Sequence, residues 1–233
     1  MAVDDIRRMR TVGLLAEGGA GKTTLAEALL FAAGATTRLG RVDDGSSTFD
    51  FEPEEARRKI TLSTAFHSLS WKRHDILLVD PPGYANFLLD TRHAMEAMGG
   101  AIFVGNPTGN LKVESERVWG WANELQLPRL VYISRMDREE GSLQKALEGM
   151  SKTLEAKLVA VQVPIGTQAW AATNTLTGWI PWLTCGRSRM LYRQGVTLRL
   201  ILTGLHQATF SVNCARDCLN KAVVWADANQ QSL

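Results

Sequence analysis

Eight consecutive residues, Ala16-Glu17-Gly18-Gly19-Ala20-Gly21-Lys22-Thr23, constrain this chain more than any other stretch. An apolar run, Thr11-Val12-Gly13-Leu14-Leu15, precedes them, and Leu25, Leu29, Leu30 and Ala33 then recur on one helical face. A strand, a tight glycine-rich turn and a helix are implied in that order. Small residues let successive backbone N–H groups curl around phosphate oxygens, and the helix N-terminus adds the positive end of its dipole. In such a loop residues Glu17, Gly18, Gly19, Ala20 and Gly21 form the cradle. Lys22 reaches the terminal phosphates, and Thr23, followed by Thr24, offers a hydroxyl to Mg2+. Ala16 stands where the strict pattern has Gly, a difference of one methyl group.

The 233 residues suffice for one large α/β domain, or for one domain and part of another. A net charge of +2 points to no particular partner, and the longest basic cluster, Arg57-Arg58-Lys59, reads as a solvated segment. No apolar stretch approaches the roughly 18 residues of a membrane span, and no signal-peptide core is present, so a cytoplasmic protein with no membrane partner is expected. Cys185, Cys214 and Cys218 lack metal spacing and read as free thiols. The composition changes near Gln168. Residues 1–168 carry 20 Lys/Arg and 22 Asp/Glu, whereas residues 169–233 carry six basic and two acidic residues, four of the seven Trp and all three Cys.

Before that boundary, apolar runs at 10–15, 60–69, 75–79, 101–105, 129–133 and 158–163 alternate with helical patterns at 22–33, 85–98, 113–125 and 142–154. This alternation predicts a mostly parallel sheet covered on both faces, with ligands at the carboxyl ends of its strands. Residues 38–59 are charged and aperiodic and read as a long mobile loop, and 196–205 suit either a strand or a short helix.

Two further motifs fall at strand ends. Asp80-Pro81-Pro82-Gly83 closes the run Ile76-Leu77-Leu78-Val79. An Asp beside a phosphate loop can hold Mg2+ through water, and a Gly there can present its N–H to a γ-phosphate; a plain Asp-Pro-Pro-Gly turn is the alternative. The run 129–133 ends in Ser134-Arg135-Met136-Asp137. An Asp in that place can accept both guanine N1–H and N2–H2, worth about 1.5–3 kcal/mol, though a surface or capping Asp has the same spelling.

In order, these motifs resemble the GTP-binding domain of the elongation factor G family of translational GTPases, from about Met9 to Gln168. The segments 20–30, Arg-Val-Asp-Asp-Gly (41–45) and Val-Gln-Val-Pro-Ile-Gly (161–166) resemble the subgroup called elongation factor G-like. The resemblance implies a phosphate-loop three-layer sandwich that hydrolyses GTP to GDP and phosphate with Mg2+ and works on the ribosome. It makes residues 50–61 the first switch, with Thr61 binding Mg2+ and sensing the γ-phosphate. Lys22, Thr61 and Gly83 are then the catalytic set, Thr23, Thr61 and Asp80 (through water) the metal set, and Ser134, Arg135 and Asp137 the guanine motif. Several positions depart from the family. Pro81 replaces a Thr, and Tyr84 stands where a His commonly orients water; a phenol serves less well there, and loss of such a group typically costs about 10²–10⁴ in rate. Ser134 is shorter than the usual Asn, which puts its tie to the phosphate loop in question, and Asn106 replaces a common acid.

Where the family continues in a Gly-Val-Ile-Asp-Leu segment, this chain has Thr177-Gly178-Trp179-Ile180-Pro181-Trp182-Leu183. Back-translated and read from the third codon base, Trp179 into Ile180 forces Asp, and neighbouring steps allow Gly, Leu, Val and Met. A frameshift between about 168 and 177 is therefore expected, dividing the chain into a partial GTP-binding domain (1–168) and an irregular out-of-frame tail (169–233), with a genuine unrelated C-terminus as the alternative. The family's fifth guanine motif, last strand and later domains are then missing, leaving the sheet incomplete at its C-terminal end and prone to aggregate through its edge. A non-catalytic fragment that binds nucleotide weakly or not at all, and a phosphate-loop ATPase or kinase, are the alternative functions.

Overall fold

The computed structural model describes residues 8–136, 142–160, 162–163, 180–181 and 199–203. Strand β1 (Met9–Leu15) leads through the glycine-rich turn into helix α1 (Lys22–Ala32). There follow α2 (Pro53–Arg58), β2 (Ala65–Trp71), β3 (His74–Asp80), a 3-10 turn (Ala85–Phe87), α3 (Leu88–Glu96), β4 (Gly100–Gly105), α4 (Val113–Glu124), β5 (Arg129–Ile133) and α5 (Leu143–Thr153). Four short strands complete the described elements: β6 (Leu158–Ala160), β7 (Gln162–Val163), β8 (Ile180–Pro181) and β9 (Arg199–Thr203).

The main sheet has the order β2-β3-β1-β4-β5-β9-β6, parallel throughout except for β2 against β3. Because successive side chains point to opposite faces, β5 sends Leu130 and Tyr132 toward α1 and Val131 and Ile133 toward α3, α4 and α5. Both faces of β4 and β5 are buried, as a sheet sandwiched between helices requires. The α1 face buries Leu25, Leu29 and Leu30 against Leu14, Leu78 and Ile102; each such side chain contributes roughly 1.5–3 kcal/mol. On the other face Phe103 meets Trp119 edge-on at 5.0 Å, and the Arg129 guanidinium lies 3.9 Å over the same indole. Gly13 leaves space for Met98, whose sulfur occupies the volume that a Cβ at residue 13 would take.

The alternation predicted this α/β sandwich and its parallel sheet. Four details differ. The predicted loop 38–59 contains α2, which is only six residues long and is specified by Pro53 in its first turn and a Glu52–Glu55 capping box. The predicted strand 60–69 starts only at Ala65, because residues 61–63 are drawn into other contacts described below. The predicted helix 85–98 opens as a 3-10 turn and becomes α-helical only at Leu88. The predicted strand 158–163 splits, with β6 in the main sheet and β7 paired antiparallel to β8. Within the segment 196–205, readable either way, Arg199–Thr203 form the strand β9. It enters the sheet between β5 and β6. Among the described residues no helix is long and apolar enough to cross a membrane. The three cysteines and most of 169–233 lie outside the described residues.

Candidate functional site

The turn between β1 and α1 takes its shape from two glycines in the left-handed region, Gly19 (φ 76°) and Gly21 (φ 101°), the latter capping α1. No side chain caps that helix end, so its first N–H groups point into the turn, as anion binding needs. Lys22 is buried, and its Nζ lies 3.3 Å from the carbonyl oxygens of both Ala16 and Glu17. Burial lowers its pKa, opposed by Asp80, Glu17 and Asp50 in decreasing order.

Four oxygen-bearing side chains meet behind the turn. The Thr23 hydroxyl donates to Asp80 Oδ2 at 2.7 Å, and the Thr61 hydroxyl donates to Asp50 Oδ1 at 3.2 Å. The two hydroxyl oxygens are themselves 3.2 Å apart. Each hydroxyl has one proton but two acceptor lone pairs, so the pair can share one hydrogen bond with either as donor and still leave lone pairs unused. The other Asp80 oxygen, Oδ1, is buried with no hydrogen-bond partner. Burial pushes Asp80 up to about 6, against the opposing pull of Lys22 and the Thr23 hydroxyl. Asp50 is also raised, mainly by burial. Converging hard oxygens with unused lone pairs suit a small divalent cation that shares its shell with phosphate oxygens.

Asp80 ends β3, and the chain then turns sharply under the control of Thr91 on α3, whose hydroxyl donates to the Pro82 carbonyl at 2.5 Å. Gly83 arrives so close to the loop that a Cβ would overlap Lys22 Nζ and lie 2.7 Å from the Ala16 carbonyl. The Tyr84 ring lies across Gly18, where a Cβ would come within 2.6 Å of it. Tyr84 remains 37% exposed, as a ring at the mouth of a cleft.

One pocket is lined by Gly18, Gly19, Gly21, Lys22, Thr23 and Thr24 from the loop and helix, by Thr61, by Gly83 and Tyr84, and by Arg135. These predicted residues therefore share one cleft. Asp80 sits directly behind Thr23. Glu17 turns elsewhere: its carboxylate accepts from the Lys112 N–H (2.8 Å) and the Ser115 hydroxyl (3.1 Å) at the start of α4. Neither Glu17 nor Ala20 lines the pocket, but the Ala20 carbonyl accepts the Ser134 hydroxyl at 2.7 Å. Ser134 thus ties the end of β5 to the phosphate loop despite its shortness, and it also reaches the Gly105 carbonyl at 3.2 Å. Asn106, in the place of a common acid, folds its own turn by accepting from Thr108. Asp137 lies outside the described residues.

Sequence reasoning passed over Asp50, Glu27, Glu55 and Thr91. Glu27 and Glu55 are fully buried carboxylates. Glu27 accepts from the Ser47 hydroxyl (3.0 Å), the Thr48 N–H, the Thr48 hydroxyl (3.3 Å) and the Phe49 N–H (3.2 Å). Glu55 accepts from the N–H groups of Glu52 (3.1 Å), Leu62 (2.8 Å) and Ser63 (3.0 Å). The two acids clamp residues 47–49 and 62–63, and so fix Asp50 and Thr61 between them. The one available signal was the Glu52-x-x-Glu55 spacing of a capping box.

Residues 7–217 match the family described as the elongation factor Tu GTP binding domain. The chain belongs to that family. It is 32% identical over 165 residues to elongation factor G of Fervidobacterium nodosum, a match covering 71% of this chain and 24% of that protein. A crystal structure of a Thermus thermophilus protein superposes with a TM-score of 0.64 at 36% identity, covering 69% of this chain and 24% of the other. The chain thus spans about a quarter of the length of these relatives. Within this GTP-binding domain Lys22 and Thr23 open α1 and Asp80 ends β3, where a parallel sheet places its ligands, and Thr61 joins them from the segment between α2 and β2.

Proposed function

We propose that this chain is the GTP-binding domain of an elongation factor G-like translational GTPase, which binds GTP with Mg2+ and hydrolyses it to GDP and phosphate. The observation that carries this is the meeting of Thr23, Thr61, Asp50 and Asp80 oxygens beside the buried Lys22. In this reading the backbone N–H groups of residues 18–23 hold the phosphates, and Lys22 leaves its two carbonyl partners for the terminal phosphates. Thr23 and Thr61 hold Mg2+ directly, and Asp80 does so through water. When bound, the ion neutralises charge that builds on the phosphate oxygens. Gly83 supplies an N–H at the γ-phosphate, and Ser134, Arg135 and Asp137 form the guanine side. Residues 38–61 then close on the triphosphate and are released by hydrolysis. The full-length family's setting, the cytoplasm and the ribosome, belongs to the same proposal.

One observation favours a second reading, binding without turnover. The side chain following Gly83 is a phenol resting on Gly18, with no imidazole there to orient water. Titration with fluorescent GTP and ATP, with and without Mg2+, followed by phosphate release, tests both. GTP preferred at least about tenfold, as one or two selective base bonds imply, with Mg2+ dependence and turnover, supports the first reading. Binding without turnover supports the second, and ATP preference overturns the base assignment. That residues 169–233 are translated out of frame is a separate proposal, and resequencing the DNA around codons 165–180 tests it.

A further inference from the structure

Three cations follow one another at the end of α2, and only one faces the cleft. Arg57 and Arg58 both pair with Glu54 on the exposed side of the helix. Lys59 lines the same pocket as Lys22, Thr61 and Gly83 and has no ion pair among the described residues. Lys59 is the C-cap of α2 in the left-handed conformation (φ 56°, ψ 40°), and its N–H returns to the Glu55 carbonyl. A side chain bearing a Cβ is disfavoured there, so the position holds Lys at a cost in strain. Glu55 fixes the turn from both sides, through Glu52 before it and Leu62 and Ser63 after it. Asp43, from the opposite end of the same loop, is the acid that shares the pocket wall.

We propose that Lys59 is a second phosphate-binding cation, acting in cis from the switch side of the cleft on the terminal phosphate of a nucleoside triphosphate. Lys22 approaches from the loop and Lys59 from the segment carrying Thr61. The contact forms only when that segment is docked and a third phosphate is present, so Lys59 selects triphosphate over diphosphate. This rests on the nucleotide-binding proposal above.

The test uses Lys59→Gly and Lys59→Arg in the full chain, with dissociation constants for Mg2+·GTPγS and Mg2+·GDP. Glycine suits the left-handed turn, so Lys59→Gly removes the ammonium without disturbing the fold, which a thermal melt verifies. The expected result is about fivefold or greater weakening for GTPγS, the scale of a partly solvated charge pair, with GDP within about twofold and recovery in Lys59→Arg. Equal weakening of both nucleotides, or no change in either, overturns the role of Lys59. Wild-type protein that binds neither nucleotide overturns the nucleotide reading itself, a different outcome from wild-type binding that Lys59→Gly leaves intact.

Discussion

Replacing Glu27 by Ala removes the acceptor that holds residues 47–49 against α1, and the structure sets the size of the effect. Four donors converge on its carboxylate, two of them backbone N–H groups. Hydrogen bonds to a charged partner contribute about 1.5–3 kcal/mol each, but part of this is recovered when the donors find other partners. Thr48 is exposed and can turn to water, and the Ser47 hydroxyl oxygen already lies 3.2 Å from the Phe49 N–H and 3.3 Å from that of Asp50. A net loss of about 2–4 kcal/mol in docking the segment follows. At 1.4 kcal/mol per factor of ten, this is roughly a 30- to 1,000-fold rise in local opening. Amide hydrogen exchange at residues 48–50 reads it directly, and a thermal melt separates it from global unfolding. Glu27→Gln keeps one acceptor oxygen and is expected to lie between wild type and Glu27→Ala. Asp50 adjoins the clamp, so Mg2+-dependent nucleotide affinity falls in step. Phe49 stays buried in the core against His67 in either protein, so unchanged exchange at 48–50 in Glu27→Ala means that this packing holds the segment without the carboxylate and refutes the reasoning.

Gly83→Ala puts a methyl group 2.7 Å from the Ala16 carbonyl, a backbone atom that cannot swing aside as Lys22 Nζ can. GTP-analogue affinity is expected to fall by more than about tenfold through displacement of the turn, with little change in melting temperature. Ser134→Ala loses the 2.7 Å bond to Ala20; a cost of about 0.5–1.5 kcal/mol should appear as a lower denaturation midpoint together with weaker nucleotide binding. Gly149→Ala, inside α5, ordinarily gains about 1 kcal/mol from helix propensity. Here the new Cβ would lie 2.6 Å from the Gly109 carbonyl oxygen and 2.9 Å from its Cα, so chemical denaturation should show a loss of about 1–3 kcal/mol instead.

The strands nearest the site were legible because each is a compact, largely apolar run, buried on both faces in β4 and β5. β1, β3, β4 and β5 lie within a residue of their sequence-based bounds, and β5 coincides with them. Where the chain departs from regular period, the reading weakened for a physical reason. Residues 60–69 have strand-like composition, yet Thr61 is held by Asp50 and the next two N–H groups by Glu55, so pairing with β3 waits until Ala65. α2 is too short to show periodicity, and its signals are caps alone. The insertion of β9 between β5 and β6 is a long-range pairing, which no local pattern encodes.

The site divides the same way. That Lys22 and Thr23 would share one place with Asp80 and Gly83 was legible because a glycine-rich turn fixes the first pair after β1 and the second pair directly follows the apolar run of β3. Asp50, Glu27 and Glu55 were not, because an acid in a charged loop looks solvated until its donors are known, and here most of the donors are backbone groups brought by the fold. Their burial has an electrostatic consequence. Around the buried Lys22 the fold gathers five buried acids, Glu17, Glu27, Asp50, Glu55 and Asp80. Desolvation is the main reason that Asp50 and Asp80 are raised, and their acidic neighbours add to it, Glu55 and Glu27 at Asp50 and Asp50 and Glu27 at Asp80. Lys22 offsets only part of this. The acids that hold residues 47–49 and 62–63 in place therefore also make the cleft behind Thr23 a poor place for ionised carboxylates alone and a good one for carboxylates sharing a cation. Anchoring the segment and preparing the cation site are two effects of one arrangement, so loosening the Glu27 clamp should weaken both together.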